Sequence, residues 1–409
     1  MIWLNLAGNI LWQMVYMLFS PLFWLVVALV WWQNKRLSKQ KSSFFHLPAE
    51  KVGKKTLQSV AFGLLGGFVG SVLLLVLGVN VAEIGIEYLW ILALILSLIN
   101  MRFVCFAYAG GILTIVNVFC GVPVLSGAQL IALVGVLHFV EGMLVYLSGH
   151  LQAVPIYIKW RDGRIVGAFN MQNFWPLPLI ALYVEGAALA GTEPLIMMPA
   201  WWPLLPSAFG KGFTLYMLAA VLAALGYSDL AVTHSVRQKT KSAAKNLLIY
   251  GAVMIILAFL GAQNQIMLFL AGLAAPLGHE LIIYFDKKAE KNGEPIFTES
   301  SEGVRILDVL ENSPARKAGI ASGDIIMSLN KASVRDISEL TGGYWRIKRG
   351  ENYFQAWLPA DNWGIIPVPR VHRGKYVYFG GNFELLKLLW RKVKKIFSKI
   401  KNVCDKNEK

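Results

Sequence analysis

The sequence predicts a polytopic α-helical membrane protein of six to nine spans, carrying a C-terminal α+β domain and ending in an amphipathic basic helix. Three observations predict it. Hydrophobic residues make up 56% of the 409-residue chain and charged residues only 15%. The apolar excess is confined to residues 1–285, where long apolar runs are broken by short polar loops; from residue 286 onward the composition is that of a water-soluble domain. Thirty-nine Lys and Arg against 24 Asp and Glu give a formal net charge of +15, and the surplus gathers in loops beside the apolar runs and in the tail. Positive-inside topology and attraction to anionic lipid account for that placement, which argues against nucleic acid as a partner.

A hydrocarbon core of about 30 Å needs roughly 20 apolar helical residues. By that ruler the spans fall at 14–32, 57–79, 87–99, 104–122, 129–147, 178–190, 213–230, 247–262 and 265–285. The third and sixth are short, and the sixth region carries Pro176, Pro178 and Glu185, so nine is the upper figure. The loop 33–56 holds Lys35, Arg36, Lys39, Lys41, Lys51, Lys54 and Lys55 against a single Glu50. Every second loop after it is again basic, at Arg102, at Lys159, Arg161 and Arg164, at Arg237, Lys239, Lys241 and Lys245, and at Lys287, Lys288 and Lys291. The positive-inside rule then places the C-terminal domain in the cytoplasm, below a multi-pass cell-membrane domain.

Two connections carry further signals. Residues 154–160 alternate in polarity ahead of Asp162-Gly163, which predicts a cytoplasmic β-hairpin over about 154–170 lying against the membrane. PAWWPLLP, residues 199–206, reads as an interfacial segment anchored by Trp201 and Trp202. Cys105, Cys120 and Cys404 form neither a CxxC nor an evident pair, so no disulfide framework and no metal site is expected. The N-terminus lacks a signal-peptide layout.

A linker, 286–294, leads into the soluble domain at 295–370. A strand at 304–309 ends at Glu311-Asn312-Ser313, where Ser313 is an N-cap with Pro314 at the first helical position. The short helix stops at Gly319, Ser322-Gly323-Asp324 turns into a strand at 325–329, and a second helix is expected from near Asp336. The run SPARKAGIASGDII resembles the most recognisable segment of bacterial PDZ domains. The resemblance implies peptide binding by strand addition beside a helix, with backbone N–H groups receiving a terminal carboxylate. Carried onto this chain, the receiving turn is Glu302-Gly303-Val304-Arg305, with Gly303 leaving room for the anion. The groove then runs along Val304, Arg305, Ile306 and Leu307, against a helix bearing Ile337, Leu340 and Tyr344. The Gly-Leu-Gly-Phe loop of the animal domains is missing, so an internal loop or a folded partner is as good a ligand as a chain terminus.

No catalytic residues are expected. His279-Glu280 opens an HExxH pattern, but Ile283 stands where the second histidine ligand must be. The inverted arrangement fails too, since His138-Phe139-Val140-Glu141 is followed by Gly142. No GxSxG, Walker or dinucleotide fingerprint is found, so no cofactor is implied. His138 and Glu141 are intramembrane polar residues three apart on one helix face. Such a pair is either a proton or ligand site or a mutual hydrogen bond that locks helices, and the second reading is favoured. The glycine pairs Gly66-Gly67 and Gly110-Gly111 read as close helix packing.

In the tail, Leu385, Leu386, Leu389, Val393, Ile396, Phe397 and Ile400 keep a 3.6-residue repeat among lysines over 383–403. Such a helix lies on anionic lipid; packing on the soluble domain and docking of a partner are the alternatives. The whole layout resembles the MinJ family of Gram-positive cell-division proteins, most visibly in HFVEGMLVYLSGH, in residues 154–178 leading into NFWPLPL, and in GIIPVP at 364–369. The resemblance implies a scaffold that recruits partners through its PDZ domain. In that family the partners are DivIVA and MinD, and the result is placement of the division inhibitor MinC at poles and septa. The alternatives are an intramembrane protease-like protein and a PDZ-regulated transport or sensor protein.

Overall fold

The computed structural model describes residues 2–45, 47, 50–183, 201–205, 217–369 and 376–378. Glu185 and the tail helix expected at 383–403 lie outside the described residues. Helices α1 (Ile2–Met17) and α2 (Pro21–Phe45) meet at a bend of 73°. They are followed by α3 (Gly53–Leu77), α4 (Ile86–Ile99), α5 (Phe106–Cys120) and α6 (Gly127–Ser148). Among the described residues, α3, α6 and, later in the chain, α7 (Val236–Gln263) and α8 (Gln265–Asn292) are long and apolar enough to cross a membrane. The bent pair raises the figure from four to five, so the described residues supply four or five of the expected six to nine.

The missing spans have two explanations. Helices α4 and α5 have 14 and 15 residues, about 21 and 22 Å at 1.5 Å per residue, too short for a hydrocarbon core of about 30 Å. They form a hairpin whose open end is tied at Glu83, which accepts from Ser126 N through its carbonyl (2.7 Å) and from Gln129 Nε2 through its carboxylate (2.9 Å). Its tip is a single 3-10 turn, Met101–Val104.

The sixth and seventh expected spans, 178–190 and 213–230, are strands wherever they are described. After β1 (Val154–Lys159), strand β2 (Ile165–Tyr183) pairs antiparallel with β1 and then with β3 (Met217–Ala231), from Phe169↔Ala231 to Tyr183↔Met217. An apolar run alone does not separate a buried strand from a buried helix, but the chemistry of Pro176 and Pro178 does. Two apart, they break a helix. On a strand they face one edge, here the edge of β2 that runs along α3. Neither proline has an N–H to leave unpaired there; Ile180 N donates to Ser71 Oγ (2.7 Å), and Leu182 O accepts from Val81 N (2.8 Å). A strand edge at apolar depth needs that accounting, because no water can supply the missing bonds. Glycines on α3 admit the strand: a Cβ at Gly63 would run into the Pro176 carbonyl, and one at Gly67 would lie 2.5 Å from Pro178 O. Gly66, Gly110 and Gly111 do meet neighbouring helices, at Leu144, Val134 and Pro276 respectively. The expected interfacial anchor Trp202 is instead buried, its Nε1 donating to Leu75 O at 2.7 Å, while Trp201 is exposed.

The C-terminal domain is a sheet of order β8–β7–β5–β4–β9. Its strands are β4 (Val304–Val309), β5 (Ile325–Leu329), β6 (Ala332–Ser333, paired with β5), β7 (Gly343–Arg349), β8 (Asn352–Leu358) and β9 (Ile365–Pro367). The one-turn helix α9 (Pro314–Lys317) packs on it over a core that includes Ile306, Ile326, Trp345 and Leu358. Local chemistry writes its central stretch. Ser313 Oγ accepts from Arg316 N, and the turn after α9 passes through Gly319 at φ +81°. Asp324 is almost wholly buried; it accepts from Ala321 N (2.8 Å) and forks with Arg349 Nε and Nη2, both at 2.7 Å. The second helix expected from near Asp336 is only the 3-10 turn Ile337–Glu339, cut short by Gly342-Gly343. Strand β10 (Val377–Tyr378) leaves this domain and pairs parallel with β1.

The two halves share a seam. Phe297, Leu307, Ile366 and Val368 join the same core as Tyr157 and Phe169, and Gly167 N donates to Phe297 O at 2.9 Å. Lys41 of α2 reaches Asp308 of β4 (3.5 Å) while also bonding Glu50 (2.8 Å), which Lys55 bonds as well (2.7 Å). Burial alone raises the Glu50 carboxyl, but the hydrogen bonds from Lys41 and Lys55 outweigh it and hold the group lowered from 4.5 to about 2. A folded value below the unfolded one means that its stabilisation is complete above pH 4.5 and is lost as pH falls through about 2. Asp308 acts oppositely: burial raises it further than Lys41 lowers it, so its protonation favours the folded state. Thermal unfolding of the full chain between pH 7 and pH 3 is therefore expected to fall more steeply for the wild type than for Glu50→Gln. Equal slopes would show that Glu50 does not brace the seam.

Candidate functional site

Where β4 begins and β9 ends, the chain leaves a cavity of about 290 Å³. Gly303, Val304 and Arg305 form one wall; Arg335, Asp336 and Ile337 form the second, and Pro367, Val368 and Pro369 the third. Tyr157, from β1 of the membrane domain, closes it beside Glu299 and Ser300. The cleft therefore belongs to the seam and not to the PDZ domain alone.

Of the residues expected to bind peptide, Gly303, Val304, Arg305 and Ile337 line this cavity. Ile306 and Leu340 do not; both are buried in the core of the domain. Leu307 is buried at the seam against Gly167, and Tyr344 is exposed on β7. Strand addition to β4 is ruled out by geometry, because both its edges are taken. β5 pairs with Val304 and Arg305, β9 pairs with Ile306, Asp308 and Val309, and Val368 N donates to Arg305 O at 2.8 Å. The outer edge of β9 is poor as well, since Pro367 and Pro369 offer no N–H and Pro367 O accepts from Tyr157 Oη at 2.7 Å. Gly303 has a packing reason: a Cβ there would run into Ile326 O of β5.

The electrostatics of the cleft centre on Arg305. Its Nη1 donates to Ile296 O at 2.8 Å, while its Nε is buried with no hydrogen-bond partner among the described residues. At the rim, Lys348 pairs with Glu302 at 2.7 Å. Sequence reasoning missed Tyr157, Arg335, Asp336 and Pro367–Pro369. The signals were the Tyr of the alternating run 154–160 and the two prolines of GIIPVP, whose meeting depends on how the domains dock.

The expected hydrogen bond between His138 and Glu141 is not formed. His138 Nδ1 lies 2.7 Å from Val134 O, and its Nε2 lies 3.1 Å from Cys105 Sγ. His279, set aside with the failed HExxH pattern, stacks edge-on against His138, with ring centroids 5.3 Å apart.

Apolar helices of spanning length, with a small β-domain docked beneath them, fit a membrane protein that presents a binding module. The PDZ domain family model matches residues 290–353, so that module is a PDZ domain. More particularly, the chain is similar to MinJ: it is 26% identical over 209 residues to the cell division topological determinant MinJ of Bacillus subtilis (strain 168). The match covers 50% of this chain and 49% of that protein, so the chain spans about half the length of the relative it matches. No solved structure matches.

Proposed function

We propose that the protein is a membrane-anchored, division-site adaptor that captures a protein partner in the cleft between its PDZ and membrane domains, without catalysis. One observation carries this reading. Arg305 lines the cleft with a buried Nε that lacks an acceptor among the described residues, and buried polar groups are nearly always satisfied. A carboxylate or carbonyl of a partner entering the cleft meets the Arg305 guanidinium, and a charge-assisted bond of this kind is the stronger sort. Ile337 and Val368 add apolar walls. The shortage of free strand edge favours a loop or a folded surface over an added strand. The family resemblance proposes DivIVA-like and MinD-like proteins as the two partners, a cytoplasmic side for the PDZ domain, and enrichment at poles and septa. Anionic lipid at the tail helix belongs to the same proposal.

Replacing Arg305 by Gln and Ile337 by Arg, each in the full chain, tests it. Each is expected to weaken partner capture by about 2 kcal/mol, roughly thirtyfold. A fluorescent fusion should then spread evenly over the membrane at unchanged abundance. Septal enrichment that survives both substitutions would overturn the assignment of the cleft.

A further inference from the structure

Among the described residues, one set of metal-ligating side chains comes together away from the PDZ cleft. Cys105 sits at the tip of the α4–α5 hairpin, His138 midway along α6 and His279 midway along α8. Each offers a ligand atom, and these atoms lie within 4.8 Å of one another.

The surrounding hydrogen bonds fix both imidazoles in the state a metal requires. The Val134 carbonyl only accepts, so His138 Nδ1 carries the proton and Nε2, 3.1 Å from Cys105 Sγ, keeps its lone pair. Tyr108 spends its single proton on Glu280 Oε1 at 2.7 Å, so its oxygen accepts from His279 Nδ1 at 3.1 Å and leaves the lone pair of that ring on Nε2. A ligating histidine characteristically donates its other N–H to an oxygen in this way, which sets tautomer and ring orientation together. Behind Tyr108, Glu280 is paired with Arg102 at 3.0 Å, and the Tyr250 ring lies 4.9 Å from that of His138. The half-exposed Arg102–Glu280 pair marks the polar side from which an ion can reach the hairpin tip.

We propose that Cys105, His138 and His279 bind a zinc ion, through one thiolate and two imidazoles, with the fourth position open. Ligand distances of about 2.3 Å for sulfur and 2.0–2.1 Å for nitrogen put tetrahedral ligand atoms roughly 3.3–3.6 Å apart, so closing the site takes a movement of about an ångström. Sulfur and imidazole are the donors of zinc, whereas calcium and magnesium want oxygen. On binding, the Cys105 thiol releases its proton to solvent and the sulfur lone pair goes to the metal. Thiolate and ion together carry one positive charge. The ion ties a hairpin too short to span the bilayer to α6 and to α8, the helix that leads into the PDZ domain.

The test uses the full chain in nanodiscs, with Cys120→Ala and Cys404→Ala leaving Cys105 as its single thiol. Titration with cobalt is expected to give one equivalent of tetrahedral d–d bands together with a thiolate charge-transfer band, both displaced by zinc. Cys105→Ala should remove the charge-transfer band, and His138→Gln or His279→Gln should weaken binding by at least about tenfold. A second measurement needs no ligand variant: alkylation of Cys105 by a small permeant maleimide should slow at least about tenfold with zinc and recover with chelator. Cobalt uptake that survives Cys105→Ala, or alkylation indifferent to zinc, overturns the site.

Discussion

Lys239→Met is expected to destabilise the protein by about 3–5 kcal/mol and to deplete the folded chain from the membrane. Lys239 stands in the first turn of α7 with its side chain almost wholly buried, 3% exposed, and that figure decides the size of the effect. Its Nζ lies 2.6 Å from Asp286 Oδ2, 3.4 Å from Asp229 Oδ2 and 3.7 Å from Glu290 Oε1. Those carboxylates come from α8 and from the end of β3, so one ammonium holds together three elements. Two of the three are held by further hydrogen bonds. Glu290 Oε2 accepts from Val232 N, Thr233 N and Thr233 Oγ1 at 2.9–3.0 Å, and Asp229 accepts from Tyr227 Oη at 3.0 Å. Removing the cation leaves like charges facing one another at low dielectric, where an unpaired charge is worst placed. Just beyond, Ile296 N donates to Val232 O at 3.1 Å, so the cluster sits where α8 hands the chain to the PDZ domain. Thermal unfolding of the full chain measures the loss. Adding Asp286→Asn should recover part of it, because the two substitutions share one network. A Lys239→Met protein within about 1 kcal/mol of wild type would show that the carboxylates are already neutral or solvated.

The PDZ segment was legible because its chemistry is local. Ser313 caps, Pro314 starts and Gly319 ends a single turn within seven residues, and Asp324 anchors the next strand through Arg349. The membrane half was less so. Residues 178–183 are apolar enough for a helix, and only Pro176 and Pro178, two apart, tell of a strand whose donors on one edge are deleted. The cleft was half legible, since Gly303–Arg305 and Ile337 lie within the PDZ pattern while Tyr157 reaches it only through docking. Cys105, His138 and His279 share no spacing at all. Only their polarity inside apolar runs marked them, and the expectation of a His138–Glu141 pair drew attention to the wrong neighbour.

The strand reading of 165–183 carries the second large expectation. Gly67→Val is expected to cost about 3 kcal/mol, the upper end of the range for an inserted side chain, and Gly63→Val at least as much. At a helix–helix contact the neighbouring side chain turns aside, but here the obstacles are backbone carbonyls, Pro176 O and Pro178 O, in a strand fixed on its other edge by β3. Relief requires β2 to leave α3. That withdraws Ser71 Oγ from Ile180 N and Val81 N from Leu182 O, stranding Ile180 N, Val81 N and Leu182 O in apolar surroundings. Gly8→Ala is the control, because a Cβ there meets nothing within 4 Å and an alanine favours the helix. The displacement should also reach the cleft. β2 carries Gly167 against the PDZ domain and holds β1 in register, so Tyr157 moves with it. Gly67→Val is thus expected to lose both thermal stability and partner capture, whereas a substitution inside the cleft loses capture alone. A Gly67→Val protein with wild-type stability would mean that β2 does not lie against α3, and would reopen the expected helical span at 178–190.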